Sequence, residues 1–310
     1  MTAYVLTPHQ KRAAELLRER FGSVGVRPHE TWGSSIVVEA QTPDGGIFLK
    51  ANGDRSVRAE ALVARVARDA GVPVPEILDL GDDTRLPGGS WILMGRVPGQ
   101  QWDTRMLPEP ATTVTINDLA EYLSRLHGVR LPGYGWLDDS GRGTSPTWRA
   151  WMRSEAAESA KVLVAHDDLP ASFPAEVDRV IRAVVPDDVR PALLNADLGL
   201  SEIFVDPKTG SVTGILDWAA AAIGDPLYDL ATFAFGGPAG DPVPPLLQPR
   251  LFDAYCAHDP VIAGRSERLV ALYQMLNHLA NACWSIAEGV DSWTGDLCVE
   301  AMRLLDVARE

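Results

Sequence analysis

Cysteine is scarce in this 310-residue chain: Cys256, Cys283 and Cys298 are the whole set, and no two stand in a C-x-x-C spacing. An odd, scattered set excludes a disulfide framework and speaks against zinc, so the three read as reduced thiols of a cytoplasmic protein. Clustered Lys and Arg are missing too, which removes the phosphate-gripping patch that a nucleic-acid partner requires. No apolar run reaches the roughly 18 to 20 residues that cross a bilayer, so no membrane partner is expected. The start, Met1 to Gly22, lacks the apolar core of a signal peptide. Its Ala13, Leu16, Leu17 and Phe21 among Lys and Arg predict an amphipathic helix instead. Internal repeats and low-complexity tracts are also absent.

What is present is ordinary globular material, 46% hydrophobic and 23% charged, in a length that suits one large domain or two ordinary ones. Such a chain buries a core without disulfide or metal staples. Acidic residues dominate, 42 Asp and Glu against 28 Lys and Arg, for a formal net charge of -14. That excess serves solubility, and it would also steer a cationic small substrate.

Patterning divides the chain near residue 98. The front holds a hairpin within 23–51, turning at Asp44-Gly45-Gly46 between Ile36-Val37-Val38 and Ile47-Phe48-Leu49. A helix over 57–70 follows, stopped by Gly71, Pro73 and Pro75, then strands near 76–80 and 90–96. The stretch from Val97-Pro98-Gly99 to Pro108-Glu109-Pro110 reads as a linker. Behind it lie helices at 117–128 (with Asn117 as N-cap), 146–166, 173–184, 226–234, 246–257, 264–288 and 291–309, and a Pro-rich loop at 236–249. One island of strands interrupts them, at 191–195, 202–206 and 211–217.

That island carries the chemistry. Asp197 and Glu202 fall in a loop between two apolar strands, and Asp217 ends a third. Carboxylates gathered beside apolar walls are costly unless a positive charge joins them. A Mg²⁺ ion with oxygen ligands is one solution, and a solvated acidic hairpin is the other. Upstream, Lys50 ends a strand and Glu60 opens the next helix, an arrangement able to pair and to place ATP phosphates. The tight turn Trp32-Gly33-Ser34-Ser35 could cover phosphates with backbone N–H groups. The order of turn, strand, Lys, helix Glu, strand, linker, helical part, Asp and metal carboxylates is that of a kinase.

With those residues in view, the sequence resembles the aminoglycoside phosphotransferase family of antibiotic kinases over nearly its whole length. The family pattern H-x-D-x-x-x-x-N falls on Asn195-Ala196-Asp197 through Glu202, its I-D-W/F motif on Leu216-Asp217-Trp218, and G-D-P-x-x-D-L on Gly224-Asp225-Pro226 to Asp229-Leu230. The resemblance implies an α+β, protein-kinase-like fold of two lobes, with a β-rich nucleotide lobe over 1–97 and a helical lobe over 98–310. It implies ATP as donor, with GTP possible, and Mg²⁺. Asp197 would take the acceptor's proton, Asp217 and Glu202 would hold Mg²⁺, and Lys50, held by Glu60, would contact the phosphates. Backbone from Met94 to Val97 would bind the base, Ser34 and Ser35 would lie over the phosphates, and Asp225 and Asp229 would hold the loop. Two positions depart from the pattern: Asn195 stands for His and Glu202 for Asn. A nucleotide-binding protein without catalysis is therefore the alternative, beside a small-metabolite kinase of the same fold.

The acceptor implied is a hydroxyl on a cationic antibiotic, of aminoglycoside or tuberactinomycin type, whose phosphorylation confers resistance; macrolide kinases share the family. Glu288, Asp291 and Asp296, with Trp284 and Trp293, offer carboxylates and ring faces for such a cation. Asp138 and Asp139, in what reads as an exposed loop over 133–151, could add a second wall. A monomer or a homodimer is expected.

Overall fold

The computed structural model describes residues 5–31, 33–43, 45–103, 107–233, 247–264 and 267–310. The sequence readings reach other positions in the opening stretch at 1–4, at Trp32 and Asp44, in the linker at 104–106, at the end of the helix expected over 226–234, in the Pro-rich loop as far as 246, and at 265–266 in the helix expected over 264–288; these lie outside the described residues.

Helix α1 (Pro8–Phe21) starts from a reciprocal cap: the Gln10 amide donates to Thr7 Oγ1 at 3.2 Å while the Thr7 amide donates to Gln10 Oε1 at 3.0 Å. Ala13, Ala14 and Leu17 bury against one face of a five-stranded antiparallel sheet. Its strands are β1 (Val26–His29), β2 (Ile36–Thr42), β3 (Gly45–Ala51), β4 (Ile77–Asp82) and β5 (Ser90–Gly95), in the order β1-β2-β3-β5-β4. Alternation along β3 turns Ile47, Leu49 and Ala51 toward α1 and leaves Phe48 and Lys50 on the opposite face. Across that second face runs α2 (Val57–Asp69), capped by Ser56, whose Oγ accepts from the Ala59 amide at 3.2 Å. Val57 and Ala61 pack on Ile92, which aims Glu60 of the same helix at Lys50.

The chain then leaves the sheet through β6 (Gln100–Gln101). Helix α3 (Glu109–Leu126) begins at Glu109, not at Asn117 as the pattern suggested. Pro110 sits in the first turn, where its missing N–H has no intrahelical partner to lose. Asn117 is an exposed position inside the helix. The expected loop over 133–151 is instead a hairpin, β7 (Tyr134–Leu137) with β8 (Gly143–Ser145), leading into α4 (Trp148–Ala165) and α5 (Phe173–Val184).

Strands β9 (Ala192–Leu194), β10 (Ile203–Val205), β11 (Val212–Ile215) and β12 (Ala222–Gly224) follow. They do not form one island. β10 pairs with β11 on one side and with β6 on the other, whereas β9 pairs with β12 and so joins β7 and β8. Short α6 (Leu227–Thr232), α7 (Leu247–Cys256), α8 (Glu267–Ala287) and α9 (Thr294–Arg309) complete the helical lobe. Its core runs through Trp148, which stacks on Trp151 at 4.6 Å and donates from its indole to the Tyr273 hydroxyl at 2.9 Å. Among the described residues, no helix is long and apolar enough to cross a membrane.

Candidate active site

Lys50, only 6% exposed, reaches from β3 into the space between the lobes. Its Nζ lies 2.8 Å from Glu60 Oε1 and 3.0 Å from Asp217 Oδ1. Burial alone would favour the neutral amine, but the two carboxylates outweigh it and the pKa rises, so Lys50 is an ammonium. The same ammonium outweighs the burial of Asp217 and holds that carboxyl below its ordinary value. Asp217 has a φ of 49° and keeps about half of its side chain open to the cleft. A non-glycine residue in the left-handed region is held by its surroundings, here by Lys50 and by the loop before it.

That loop leaves β9 at Leu194. Asp229 of α6, fully buried, accepts the Asn195 amide at 2.9 Å and the Ala196 amide at 2.8 Å. His127 Nε2 lies 3.1 Å from the same carboxylate, and its Nδ1 lies 2.8 Å from the Tyr255 hydroxyl. Asn195 is fully buried; its Oδ1 accepts the Asp197 amide at 3.2 Å, and its Nδ2 donates to the Asp217 carbonyl at 3.2 Å. Ala196 takes a φ of 64° at the bend. Asp225, fully buried at the start of α6, accepts the Leu227 amide at 3.1 Å and the Tyr273 hydroxyl at 3.0 Å.

Asp197 is thereby presented to the cleft with its carboxylate open, yet enclosed on its other sides by protein. Loss of hydration and the charges of Glu202 and Asp217 push its carboxyl up to about 7, against the opposing pull of Arg55 and Lys50. Glu202 is turned back on its own loop, where Oε2 accepts the Gly199 amide at 3.0 Å and Oε1 accepts from the Ser201 hydroxyl at 2.6 Å. Burial, with Asp217 nearby, raises its pKa as well. Among the described residues, no three His, Cys, Asp or Glu side chains converge on a metal position. The donor set at Asp217 and Glu202 is all oxygen. It fits a hard cation that draws its remaining ligands from phosphate oxygens and water.

Ser34 is placed against the loop after β3: its amide donates to Asp54 at 3.1 Å and its Oγ accepts the Gly53 amide at 3.0 Å. Ser35 contributes its carbonyl to the Thr31 hydroxyl at 2.7 Å. At the end of β5, Met94 is half-buried and Val97 buried. The Gly95 and Arg96 amides between them are already given to the Glu76 and Gly46 carbonyls, so two of the backbone donors expected for a base are engaged.

The acceptor candidates are more dispersed. Glu288 follows α8 and approaches the Gly33 turn, its Oε1 3.6 Å from where a Cβ on Gly33 would stand. Trp293 is half-buried and Asp296 exposed at the start of α9; the side chain of Asp291 lies outside the described residues. Asp138 and Asp139 are not a free wall. Asp138 accepts three bonds from Ser140 and Arg142 in its own turn, and Asp139 accepts from Ser56. The sequence reading missed Arg55, whose guanidinium carbon lies 3.9 Å from the centre of the Trp136 ring, with Glu155 as an electrostatic partner. No spacing announces a contact between residues 55 and 136.

The phosphotransferase enzyme family matches residues 31–267. Acyl-CoA dehydrogenase family member 10 of Mus musculus is 27% identical over 239 residues, 73% of this chain and 21% of that protein. The chain thus spans about a fifth of that relative's length. Hygromycin-B 4-O-kinase of Escherichia coli is 25% identical over 181 residues, 57% of this chain and 51% of the enzyme. A crystal structure of a thermostable mutant of the aminoglycoside phosphotransferase APH(4)-Ia superposes with a TM-score of 0.73 at 22% identity, over 94% of this chain and 98% of that one. That likeness establishes a shared fold.

Proposed function

The chain belongs to the phosphotransferase enzyme family, and from that premise we propose that it moves the γ-phosphoryl group of ATP, or of GTP, to a hydroxyl of a cationic antibiotic. The observation that carries this reading is the convergence of Lys50, Glu60 and Asp217 opposite an open Asp197. Lys50, fixed by Glu60, would grip phosphate oxygens as a desolvated point charge. Asp217, with Glu202, would hold Mg²⁺, which when bound neutralises charge on the phosphates. Asp197 would orient the acceptor hydroxyl. As the hydroxyl oxygen bonds to the γ-phosphorus and the bond to the β–γ bridging oxygen breaks, Asp197 would receive the proton and ADP would leave. A carboxyl poised near neutrality suits that proton transfer. Residues 1–97 would serve the nucleotide and residues 98–310 the acceptor. Glu288, close to the Gly33 turn, is the acceptor carboxylate best placed to meet an ammonium group there.

A kinase of a small hydroxylated metabolite is the second reading, favoured by the likeness to a segment of acyl-CoA dehydrogenase family member 10, a protein named for acyl-CoA and not for an antibiotic. The experiment offers ATP, Mg²⁺ and a panel of aminoglycosides, cationic cyclic peptides, sugars and amino alcohols, and reads acceptor mass and ADP release. Gain of one phosphoryl group by a polycationic antibiotic is expected, abolished in Asp197→Asn while ATP still raises the melting temperature. Phosphorylation confined to small metabolites overturns the antibiotic reading, and nucleotide binding with no acceptor phosphorylated overturns both.

A further inference from the structure

The loop from Asn52 to Ser56 joins the end of β3 to α2, and it is tied in both directions. Toward the sheet, Gly53 donates to Ser34 Oγ and Asp54 accepts from the Ser34 amide, so the loop carries the Gly33–Ser35 turn with it. Within it, Asn52 Oδ1 accepts the Asp54 and Arg55 amides at 2.8 and 3.1 Å, which fixes the bend. Toward the helical lobe, three contacts cross the gap. Arg55 lays its guanidinium over Trp136 at 3.9 Å. Ser56, the cap of α2, donates to Asp139. Leu62 of α2 fits against Gly141, where a Cβ would stand 3.0 Å from its methyl carbon. All three partners belong to the β7–β8 hairpin of the helical lobe.

Trp136 is itself braced by the helical core. Its ring meets Trp151 edge-on at 4.9 Å, and Trp151 stacks on Trp148 at the centre of the lobe. Arg55 therefore rests on a platform continuous with the core. Loss of hydration pulls its pKa down, and Glu155 and Asp197 oppose that pull, so the cation is held from the helical side as well. A desolvated cation over a tryptophan face is among the stronger forms of this contact.

We infer that Arg55 is a positioning residue: stacked on Trp136, it latches the Ser34–Ser35 turn and the start of α2 to the helical lobe, and so sets Lys50 and Glu60 against Asp217 and Asp197. Its consequence for turnover rests on the phosphotransfer reading. Its mechanical part does not.

The test uses the full chain as Arg55→Ala, Arg55→Lys, Trp136→Leu and the double variant Arg55→Ala/Trp136→Leu. Amide hydrogen exchange is followed with and without ATP and Mg²⁺, and turnover is measured on whichever acceptor the wild type phosphorylates. In Arg55→Ala, exchange should quicken about tenfold together in residues 33–35, 52–60 and 134–145, while α8 and α9 stay unchanged. kcat should fall about tenfold with the acceptor KM within about twofold, since a loosened geometry costs turnover more than acceptor affinity. The double variant should be no worse than the poorer single one, and Arg55→Lys should recover much of the loss by keeping a cation on the ring. Faster exchange confined to 52–56, or multiplicative losses in the double variant, would overturn the latch. If the wild type phosphorylates nothing, the phosphotransfer reading fails alone, and the exchange pattern still decides the latch.

Discussion

The side-chain amide of Asn195 donates to the main-chain carbonyl of Asp217 at 3.2 Å, while its oxygen accepts the amide of Asp197 at the same distance. One buried side chain thus fixes the spacing between the open carboxylate and the carboxylate that holds Lys50. The resemblance expects His here, and a histidine ring also offers one donor and one acceptor. Asn195→Ala should therefore remove two hydrogen bonds worth about 1 kcal/mol each and lower kcat roughly 10- to 100-fold. ATP affinity, which the proposed function assigns to Lys50, should move little. Asn195→His should restore most of the loss. Steady-state kinetics with a calorimetric ATP titration measures both, and a loss of affinity equal to the loss of turnover would show that Asn195 supports the nucleotide instead.

Asp229 is the deeper anchor. Replacing it by Ala strands the Asn195 and Ala196 amides and takes a partner from His127, three polar groups in a dry environment. Removing one member of such a buried set costs about 3 kcal/mol or more. Urea unfolding should report that loss for Asp229→Ala. Asp229→Asn should lie between, because its NH₂ group faces a donor at one of the two oxygen positions. If both variants unfold with the wild-type midpoint, the loop holds its left-handed Ala196 by other means.

The residues that could be read from sequence are those whose partners lie close along the chain or within one motif. Lys50 and Glu60 are ten positions apart at the end of a strand and the start of a helix, and the structure pairs them. The elements Ile36–Thr42, Gly45–Ala51 and Val57–Asp69 announced themselves by period, and α1 by the same signal. The start of α3 did not, because two prolines imitate a linker when they sit at Pro108 and Pro110, where a helix tolerates them. β12 was hidden in Ala222–Gly224, three residues that become a strand only by pairing on both sides. The turn of Glu202 onto Gly199 and Ser201 is a choice of rotamer, and Arg55 meets Trp136 only once both lobes are folded; neither leaves a periodic trace.

Stability should fall with acid through His278. This residue of α8 is 5% exposed, and loss of hydration pushes its imidazole down to about 4, with Glu300 opposing and Arg303 adding to the fall. The folded chain therefore holds His278 neutral, whereas the unfolded chain protonates it below its ordinary value near 6.5. Its contribution is fully present above about pH 6.5 and declines as pH falls toward 4, by at most about 3 kcal/mol over that interval. His278→Leu should remove this part of the slope. Urea midpoints for both proteins between pH 7 and 4 measure the difference, and parallel curves would mean that His278 charges freely in the folded state.

Glu202 stands where the resemblance expects Asn, and it bends toward its own loop. Its charge adds to those of Asp197 and Asp217, which lifts the Asp197 carboxyl and leaves the cleft short of positive charge. A divalent cation entering with ATP would relieve that excess, so the carboxylate should be felt in the metal requirement before anything else. Glu202→Gln keeps the shape and can still accept the Gly199 amide, but it removes one unit of charge. The Mg²⁺ concentration for half-maximal turnover should rise roughly tenfold, because affinity for a hard cation follows the charge of its oxygen ligands. Glu202→Asn, being shorter, should also release the Ser201 hydroxyl and show the same direction. A Mg²⁺ titration at saturating ATP reads this directly. An unchanged requirement in both variants would make Glu202 a brace for the Gly199–Ser201 turn and leave Asp217 as the carboxylate that meets the metal.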